Sequence, residues 1–512
     1  MSDVQPEFKK VALVGTGAMG MGIAQICAQS GSVVYLFDTR PGAAEEARKA
    51  LKDQWSRLVQ KSKITQEQLN AYHECLLIAN SLDDLSDADL VIEAIVERIE
   101  VKKELFSKLE SIVSEQCVLV TNTSSLSVTA IAACLKTPAR FAGYHFFNPV
   151  PLMRVVEVIA GLKTQAQVCE RLMSYSRQIG HTPVSALDTP GFIVNHAGRG
   201  YGTEALRIVS ESICDFATVD RVLKDQAGFK LGPFELMDLT ALDVSHPVME
   251  SIYQQYYEEA RYRPSYITAQ RLAGGVLGKK VGEGFYKYEN NVQQTPPEPL
   301  PPKTLNAQNL PPVWVSARAA RRASLLQMLK DFGVTIETGA APSNEALCIV
   351  APLGLDVTTV AILERLDPAR TVGIDLLIPD ESTKRRVIAT NPATRDDMRA
   401  SAHALFALDG KSVSVIRDSG GFVTQRVIAN IVNIACDMCQ QSICTPEDLD
   451  TAVTLGLGYP VGPLKWGDLL GPDNILETLL NLQTVYGDQR YRPSPWLRRR
   501  GALGISLMQR EH

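Results

Sequence analysis

The sequence has no uninterrupted apolar run near the 18 residues that a membrane-spanning helix needs, so no segment is expected to cross a bilayer. It has no basic excess either. Against 52 Lys and Arg stand 57 Asp and Glu, a net charge of −5 without the basic stripe that meets nucleic acid. The stretch Met1 to Lys10 lacks an apolar segment followed by a small-residue cleavage site, so no export leader is expected and a cytosolic address follows. Cysteine forms no framework. Ten are scattered from Cys27 to Cys444, and only Cys436 and Cys439 make a C-x-x-C, with no further ligands at zinc spacing nearby. They read as core thiols, and no metal is expected. What is present, 45% hydrophobic and 21% charged residues over 512 positions, is ordinary for globular protein of roughly three or four domains.

Proline concentrates in residues 289–312, where Pro296, Pro297, Pro299, Pro301, Pro302, Pro311 and Pro312 stand among Asn, Gln and Glu. Such density excludes helix and sheet interiors and predicts an extended linker. On its two sides the same motifs recur. Asp188-Thr-Pro-Gly-Phe-Ile-Val-Asn195 matches Asp418-Ser-Gly-Gly-Phe-Val-Thr-Gln425 at an offset of 230. The same offset carries Gly232-Pro233 onto Gly462-Pro463, Asp238 onto Asp468 and Asp243 onto Asp473, while Tyr262-Arg-Pro-Ser265 recurs one residue out of step as Tyr491-Arg-Pro-Ser494. A repeat this long means duplicated domains. The second copy is shorter and has lost polar residues: His145 falls on Asp375, Asn148 on Ile378, Ser124 on Gly354 and Asn122 on Pro352.

Near the start, the apolar run Val11–Val14 leads into Gly15-Thr16-Gly17-Ala18-Met19-Gly20, then a helix-like stretch to Gln29 and a second apolar run, Val33–Phe37, ending at Asp38. This strand–turn–helix–strand order is the context in which G-x-G-x-x-G means a dinucleotide site. Gly15 permits the tight turn, Gly17 lets backbone N–H groups approach a pyrophosphate, and Gly20 allows close helix–strand packing. The helix N-terminus adds partial positive charge. Asp38 can accept from the adenosine ribose hydroxyls and would repel a 2′-phosphate, which favours NAD over NADP; Arg40 nearby works the other way. The corresponding turn of the second copy, Val315-Ser-Ala-Arg-Ala319, has no glycine.

Three further apolar runs end in polar residues: Leu90 to Glu97, Val118 to Ser125, and Phe141 to Asn148. In a parallel doubly wound sheet the C-terminal strand ends line the ligand crevice, so Glu97, Asn122, Ser124, His145 and Asn148 should converge there. Glu157 follows on another apolar strand, twelve residues after His145. Oxidation of an alcohol needs a base for the hydroxyl proton, and histidine, with an ordinary pKa of about 6.5, suits that task. A buried glutamate would fix its tautomer and stabilise the imidazolium. Plainer readings stand beside these: His145 as a hydrogen-bonded core residue, Glu157 as a charge on a strand edge, and Ser124 or Ser125 as the cap of a helix over 126–134.

Taken together, the glycine turn, Val91-Ile-Glu-Ala-Ile-Val-Glu97, Thr121-Asn-Thr-Ser-Ser-Leu126, His145-Phe-Phe-Asn-Pro-Val-Pro151, Asp188–Asn195, Gly232-Pro-Phe-Glu235 and Gly278-Lys-Lys-Val-Gly-Glu-Gly-Phe-Tyr286 resemble the 3-hydroxyacyl-CoA dehydrogenase family over residues 10–288. With its degenerate second half, the chain resembles the long bacterial members linked to phenylacetate-type catabolism, which act on 3-hydroxyadipyl-CoA or 3-hydroxybutyryl-CoA. The resemblance implies an α/β Rossmann-type domain over 1–187 and an all-α domain over 188–288, then the linker, a shortened Rossmann-like domain over 313–417 and a second all-α domain over 418–512. It implies NAD as cofactor and an L-(S)-3-hydroxyacyl-CoA as substrate. His145 would be the base, Glu157 its partner, Ser124 the contact to the reacting oxygen and Asn195 its neighbour. Glu97, Lys102, Asn122, Asn148 and Lys280 would meet NAD. Arg57 and Lys61, four apart in a helix over 43–62, would meet the coenzyme A phosphates, unless they are only a solvated helix face. The family pairs two subunits through its helical domain, so the second helical domain is expected to pack on the first as an internal pseudo-dimer, with a homo-oligomer also open. Two rival functions remain: a dehydrogenase of a 3-hydroxy acid without a thioester, and an inactive NAD-binding structural relative.

Overall fold

A computed structural model describes residues 6–511. Met1 to Gln5, half of the stretch read for a leader, and His512 lie outside the described residues. The chain divides into two compact units, Met1–His196 with Gln441–Leu457, and Ala197–Gln440 with Gly458–His512.

The first unit is built on an eight-stranded sheet. Its strands are β1 (Lys10–Val14), β2 (Val33–Phe37), β3 (Leu76–Ile78), β4 (Leu90–Glu93), β5 (Val118–Thr121), β6 (Phe141–Phe146), β7 (Val155–Ala160) and β8 (Thr182–Leu187), in the order β3-β2-β1-β4-β5-β6-β7-β8. Strands β4, β5 and β6 are buried at every residue, because helices cover both faces. That is why they read as continuous apolar runs without alternation. The strand order reverses between β1 and β4, the switch point at which such sheets open a ligand crevice. The helix Ala18–Gln29 follows the glycine turn, and Ala43–Gln60 packs Leu51 and Trp55 into the core.

The sheet departs from the expected all-parallel pattern at one place. Strand β7 runs antiparallel to β6, and β8 parallel to β7. The connection over residues 147–154 is too short for a crossover, which takes about a dozen residues or more, so the chain must turn back on itself.

The second unit holds the helices Arg199–Ser210, Phe216–Asp225, Pro233–Thr240, Leu242–Gln255 and Tyr266–Ala273, then a small hairpin, β9 (Lys287–Glu289) with β10 (Val292–Gln294). The hairpin takes the first residues of the expected linker. The remainder is irregular but anchored, since Arg221 donates to the Pro296 carbonyl and Arg385 pairs with Glu298. A six-stranded sheet follows: β11 (Val313–Val315), β12 (Ile336–Glu337), β13 (Leu347–Val350), β14 (Thr371–Ile374), β15 (Arg385–Thr390) and β16 (Ser412–Arg417), in the order β12-β11-β13-β14-β15-β16. Strands β15 and β16 span the residues of β7 and β8 shifted by 230, and here too the sheet turns antiparallel, between β14 and β15. No glycine turn follows β11. Residues 316–321 intervene before the helix Arg322–Asp331, and Arg321 caps it in the left-handed region at φ 49°.

Helix Arg199–Ser210 lies against helix Thr424–Gln440 closely enough that a Cβ on Gly200 would sit 3.2 Å from the Ile431 backbone. Both cysteines of the C-x-x-C are buried along the second helix, as core thiols. A buried ion network ties the pair. Arg426 bonds Glu204 at 2.8 Å and Glu211 at 2.7 Å, and Arg490 bonds Glu204 at 3.1 Å. Burial pushes the Glu204 carboxyl up, but Arg426 and Arg490 outweigh it and hold it below the ordinary carboxylate value. Among the described residues no helix is long and apolar enough to cross a membrane.

Candidate active site

The antiparallel register of β6 and β7 sets His145 directly opposite Glu157. Both are buried, His145 5% exposed and Glu157 0%, and His145 Nδ1 lies 2.5 Å from Glu157 Oε2. The second carboxylate oxygen accepts from the Ile193 and Val194 backbone N–H groups, each at 2.9 Å. All the acceptor capacity facing the imidazole is thus held in one orientation, which makes Nδ1 the donor and leaves Nε2 as the basic nitrogen. Phe147 and Phe192 pack around the ring, at centroid distances of 4.4 and 5.8 Å. Phe192 reaches it from the left-handed region, φ 48°, following Gly191 at φ 79°.

Beyond β5, a polar loop is tied down by Glu97. Its Oε1 accepts from Thr123 Oγ1 at 2.6 Å, the Ser124 N–H at 2.9 Å, and the Ser125 hydroxyl at 3.0 Å. Burial works against this charge, but Lys102 and the bonds from Thr123 and Ser124 win, so the carboxyl lies below its ordinary range. Lys102 is 1% exposed, with its ammonium 2.6 Å from Glu93 and 3.2 Å from Glu97. The Ser124 hydroxyl makes no hydrogen bond among the described residues, and its carbonyl accepts from Asn195 Nδ2 at 3.4 Å. Asn122 Oδ1 accepts from the Phe146 N–H at 2.8 Å, joining the ends of β5 and β6. Asn148 is exposed just beyond β6. Ser124, Asn122, Asn195, His145 and Glu157 therefore share one end of one sheet.

The helix expected to start at Ser124 or Ser125 is shorter and starts later. It runs Val128–Ala132, and Ser127 caps it by accepting from the Ala130 N–H. Asp188 makes this possible by accepting from Ser127 Oγ and from the N–H groups of Val128 and Thr129. Ser124 and Ser125 are left to the polar loop.

At the nucleotide turn, Gly15 has φ 98° and a Cβ there would meet the Ala94 carbonyl oxygen at 2.6 Å; a Cβ on Gly20 would meet the Gly15 carbonyl oxygen at 1.8 Å. A Cβ on Gly17, by contrast, would meet nothing within 4 Å. Protein packing requires the outer two glycines, and the middle one faces open space at the N-terminus of helix Ala18–Gln29. A pyrophosphate fits such a cradle. Asp38 Oδ2 accepts from the Thr16 N–H at 2.7 Å and from its hydroxyl at 3.0 Å, while Oδ1 accepts from the Arg40 N–H at 3.0 Å. Partial burial would raise this carboxyl, but these bonds hold it below its ordinary value. The Arg40 guanidinium is turned to Glu46 at 2.6 Å.

The family description "3-hydroxyacyl-CoA dehydrogenase, NAD binding domain" matches residues 10–189, and "3-hydroxyacyl-CoA dehydrogenase, C-terminal domain" matches twice, at 191–288 and 421–506. The chain belongs to the 3-hydroxyacyl-CoA dehydrogenase family. It is 36% identical to the 3-hydroxyadipyl-CoA dehydrogenase of Escherichia coli K12 over 96% of this chain and 97% of that one. The human mitochondrial hydroxyacyl-coenzyme A dehydrogenase is 39% identical over 55% of this chain and 91% of its own. Among solved structures, the 3-hydroxybutyryl-CoA dehydrogenase of Escherichia coli K12 aligns at a TM-score of 0.85 with 35% identity, covering 97% of this chain and 98% of that one.

As a member of this family the chain is an NAD-dependent oxidoreductase. Lys280 lies in the second unit, where it pairs with Asp243. Arg57 and Lys61 are exposed at the end of helix Ala43–Gln60, with Lys61 its C-cap. Glu93, not among the site residues expected from the sequence, is 0% exposed and bonds Lys102 and Thr121 Oγ1. Asp188 and Phe192 are likewise not among the expected site residues. A signal for these two was present: both recur 230 residues later, as Asp418 and Phe422. Asp418 likewise accepts from the N–H groups of Val357 and Thr358, and Phe422 has φ 50°. In the second half Gln425 replaces Asn195 and bonds Asp375, which stands where His145 does, at 2.9 Å.

Proposed function

We propose that the first half of the chain catalyses reversible oxidation of an L-(S)-3-hydroxyacyl-CoA to the 3-ketoacyl-CoA, with His145 as the base. The observation that carries this reading is the buried His145–Glu157 pair, fixed from behind by two backbone N–H groups. In the oxidative direction His145 Nε2 takes the 3-hydroxyl proton, while Nδ1–H stays on Glu157, whose charge stabilises the imidazolium. NAD, when bound, would supply the acceptor for the hydride that leaves C3 of the substrate, and its donor in the reverse direction. Ser124 offers its unengaged hydroxyl to the reacting oxygen, and Asn195 steadies the Ser124 carbonyl from the neighbouring helix start. Asp38 serves the adenosine ribose, the turn from Gly15 to Gly20 the pyrophosphate, and Glu97, Asn122 and Asn148 the nicotinamide side. Lys102 acts through Glu97. Arg57 and Lys61 meet the coenzyme A phosphates.

The relatives' names suggest two acyl groups, a four-carbon chain and a six-carbon chain with a distal carboxylate. A panel of 3-hydroxyacyl-CoA esters including both, with free 3-hydroxybutyrate as control, followed by NADH absorbance, tests the reading. Equal turnover of the free acid, or none of any ester, overturns it.

The same proposal includes the five-part domain order with boundaries at 187, 288, 312 and 417, a degenerate second copy and an internal pseudo-dimer. Reciprocal contacts at the shared offset support it: the Leu187 N–H donates to the Ile443 carbonyl, and the Arg417 N–H donates to the Ile213 carbonyl. Ten cysteines with no disulfide among the described residues suit a reducing cytosol.

A further inference from the structure

A cavity of about 580 Å³ opens in the second unit beside β16, the edge strand of its sheet, and is lined among others by Arg399, His403, Arg417, Ser212, Thr218 and Phe216. Its acidic neighbours are already engaged. Glu298 is held by Arg385, and Asp215 caps the helix Phe216–Asp225 by accepting from the Thr218 N–H at 2.6 Å. Arg399 and Arg417 are exposed and make no ion pair among the described residues. His403 is 7% exposed, yet its Nε2 has no hydrogen-bond partner among the described residues. Leaving a buried polar atom unpaired is costly, so a nitrogen like this one signals an absent partner. Burial, reinforced by Arg399 and only partly opposed by Glu298, holds the imidazole below its ordinary pKa. A neutral imidazole carries one acceptor nitrogen, and the unengaged Nε2 is available for that part.

The first half supplies an internal comparison. The wall segment Ser212-Ile-Cys214 recurs as Ser442-Ile-Cys444, but 230 residues before Arg399, His403 and Arg417 stand Cys169, Met173 and Leu187. Two cations and an imidazole thus occupy three positions that are uncharged in the other copy.

We propose that this cavity binds a small hydroxylated organic anion, its phosphate or carboxylate held by Arg399 and Arg417 and its hydroxyl donating to His403 Nε2. The volume matches that of a metabolite site, and a pair of guanidinium groups is suited to oxyanions. Calorimetric titration of the full chain with inorganic phosphate, sn-glycerol 3-phosphate and (S)-malate separates the two sources of anion and the contribution of the hydroxyl. The expected result is saturable binding of one hydroxylated anion, weakened about tenfold or more in an R399A/R417A variant. The His403 ring signal, assigned by its loss in H403Q, shifts on binding. Turnover without the anion is unchanged in both variants. Absence of saturable binding for all three up to roughly 10 mM, or binding indifferent to R399A/R417A, overturns the assignment.

Discussion

At the scale of single residues, the proposed chemistry concentrates on one imidazole and one carboxylate. His145→Ala should lower kcat by about 10²–10⁴-fold while leaving NADH affinity, read by fluorescence titration, unchanged. Glu157→Gln tests a different point. The amide can still face the Ile193 and Val194 N–H groups through its oxygen, but it no longer stabilises an imidazolium, so kcat should fall while the protein stays folded. A Glu157→Gln enzyme of normal kcat would contradict the proposed role. Asp38 is held ionised by Thr16 and Arg40 backbone donors, and Arg40 is drawn off toward Glu46. Asp38→Ala should therefore narrow the preference for NAD over NADP, measured as the ratio of kcat/KM for the two cofactors.

At the scale of elements, two carboxylates give opposite pH behaviour. Glu97 ties down the loop beyond β5 and its folded pKa is depressed. Its contribution to stability is complete above the unfolded value of about 4.3 and is lost as pH falls through the lower, folded value. The difference in unfolding midpoint between the parent chain and Glu97→Gln should thus shrink below about pH 4. Asp375 behaves the other way. Burial pushes it up to about 6, and only Gln425 and the Leu377 N–H oppose this, while one carboxylate oxygen has no partner among the described residues. Between its unfolded value of about 3.9 and pH 6 the folded chain binds the extra proton, so stability falls as pH rises through that window. Asp375→Asn should flatten this slope and add about 1–3 kcal/mol at pH 8 in denaturant unfolding.

At the scale of the whole molecule, the half proposed to be catalytic is followed by one that lacks the same groups. The second sheet has no glycine cradle after β11, and Asp375 stands where the imidazole does in the first. Calorimetry should therefore find one NAD per chain, and two would contradict the assignment of the second half as scaffold. The helical pairing within the second unit depends on Arg426, which is fully buried between Glu204 and Glu211. Arg426→Met leaves Glu204 short of a partner in a dry core and should cost about 3–5 kcal/mol, visible as loss of the unfolding transition of this unit at lower denaturant.

Much of this was readable from residue order alone, because the signals were local. A glycine turn between two apolar runs, polar residues at strand ends and a motif repeated at one spacing are all written along the chain. They sufficed for the class of the first domain, the cofactor and the candidates His145, Glu157 and Ser124. What residue order could not decide was pairing across space. That His145 meets Glu157 follows from β7 turning back antiparallel, a register set by a short connection and by burial on both faces. Lys102, a surface residue by type, is buried because Glu93 and Glu97 lie on either side of it once β4 and the helix Ile99–Ile112 are packed. The basic cavity beside β16 is assembled from residues scattered over some two hundred positions, and only the folded chain brings them to one wall.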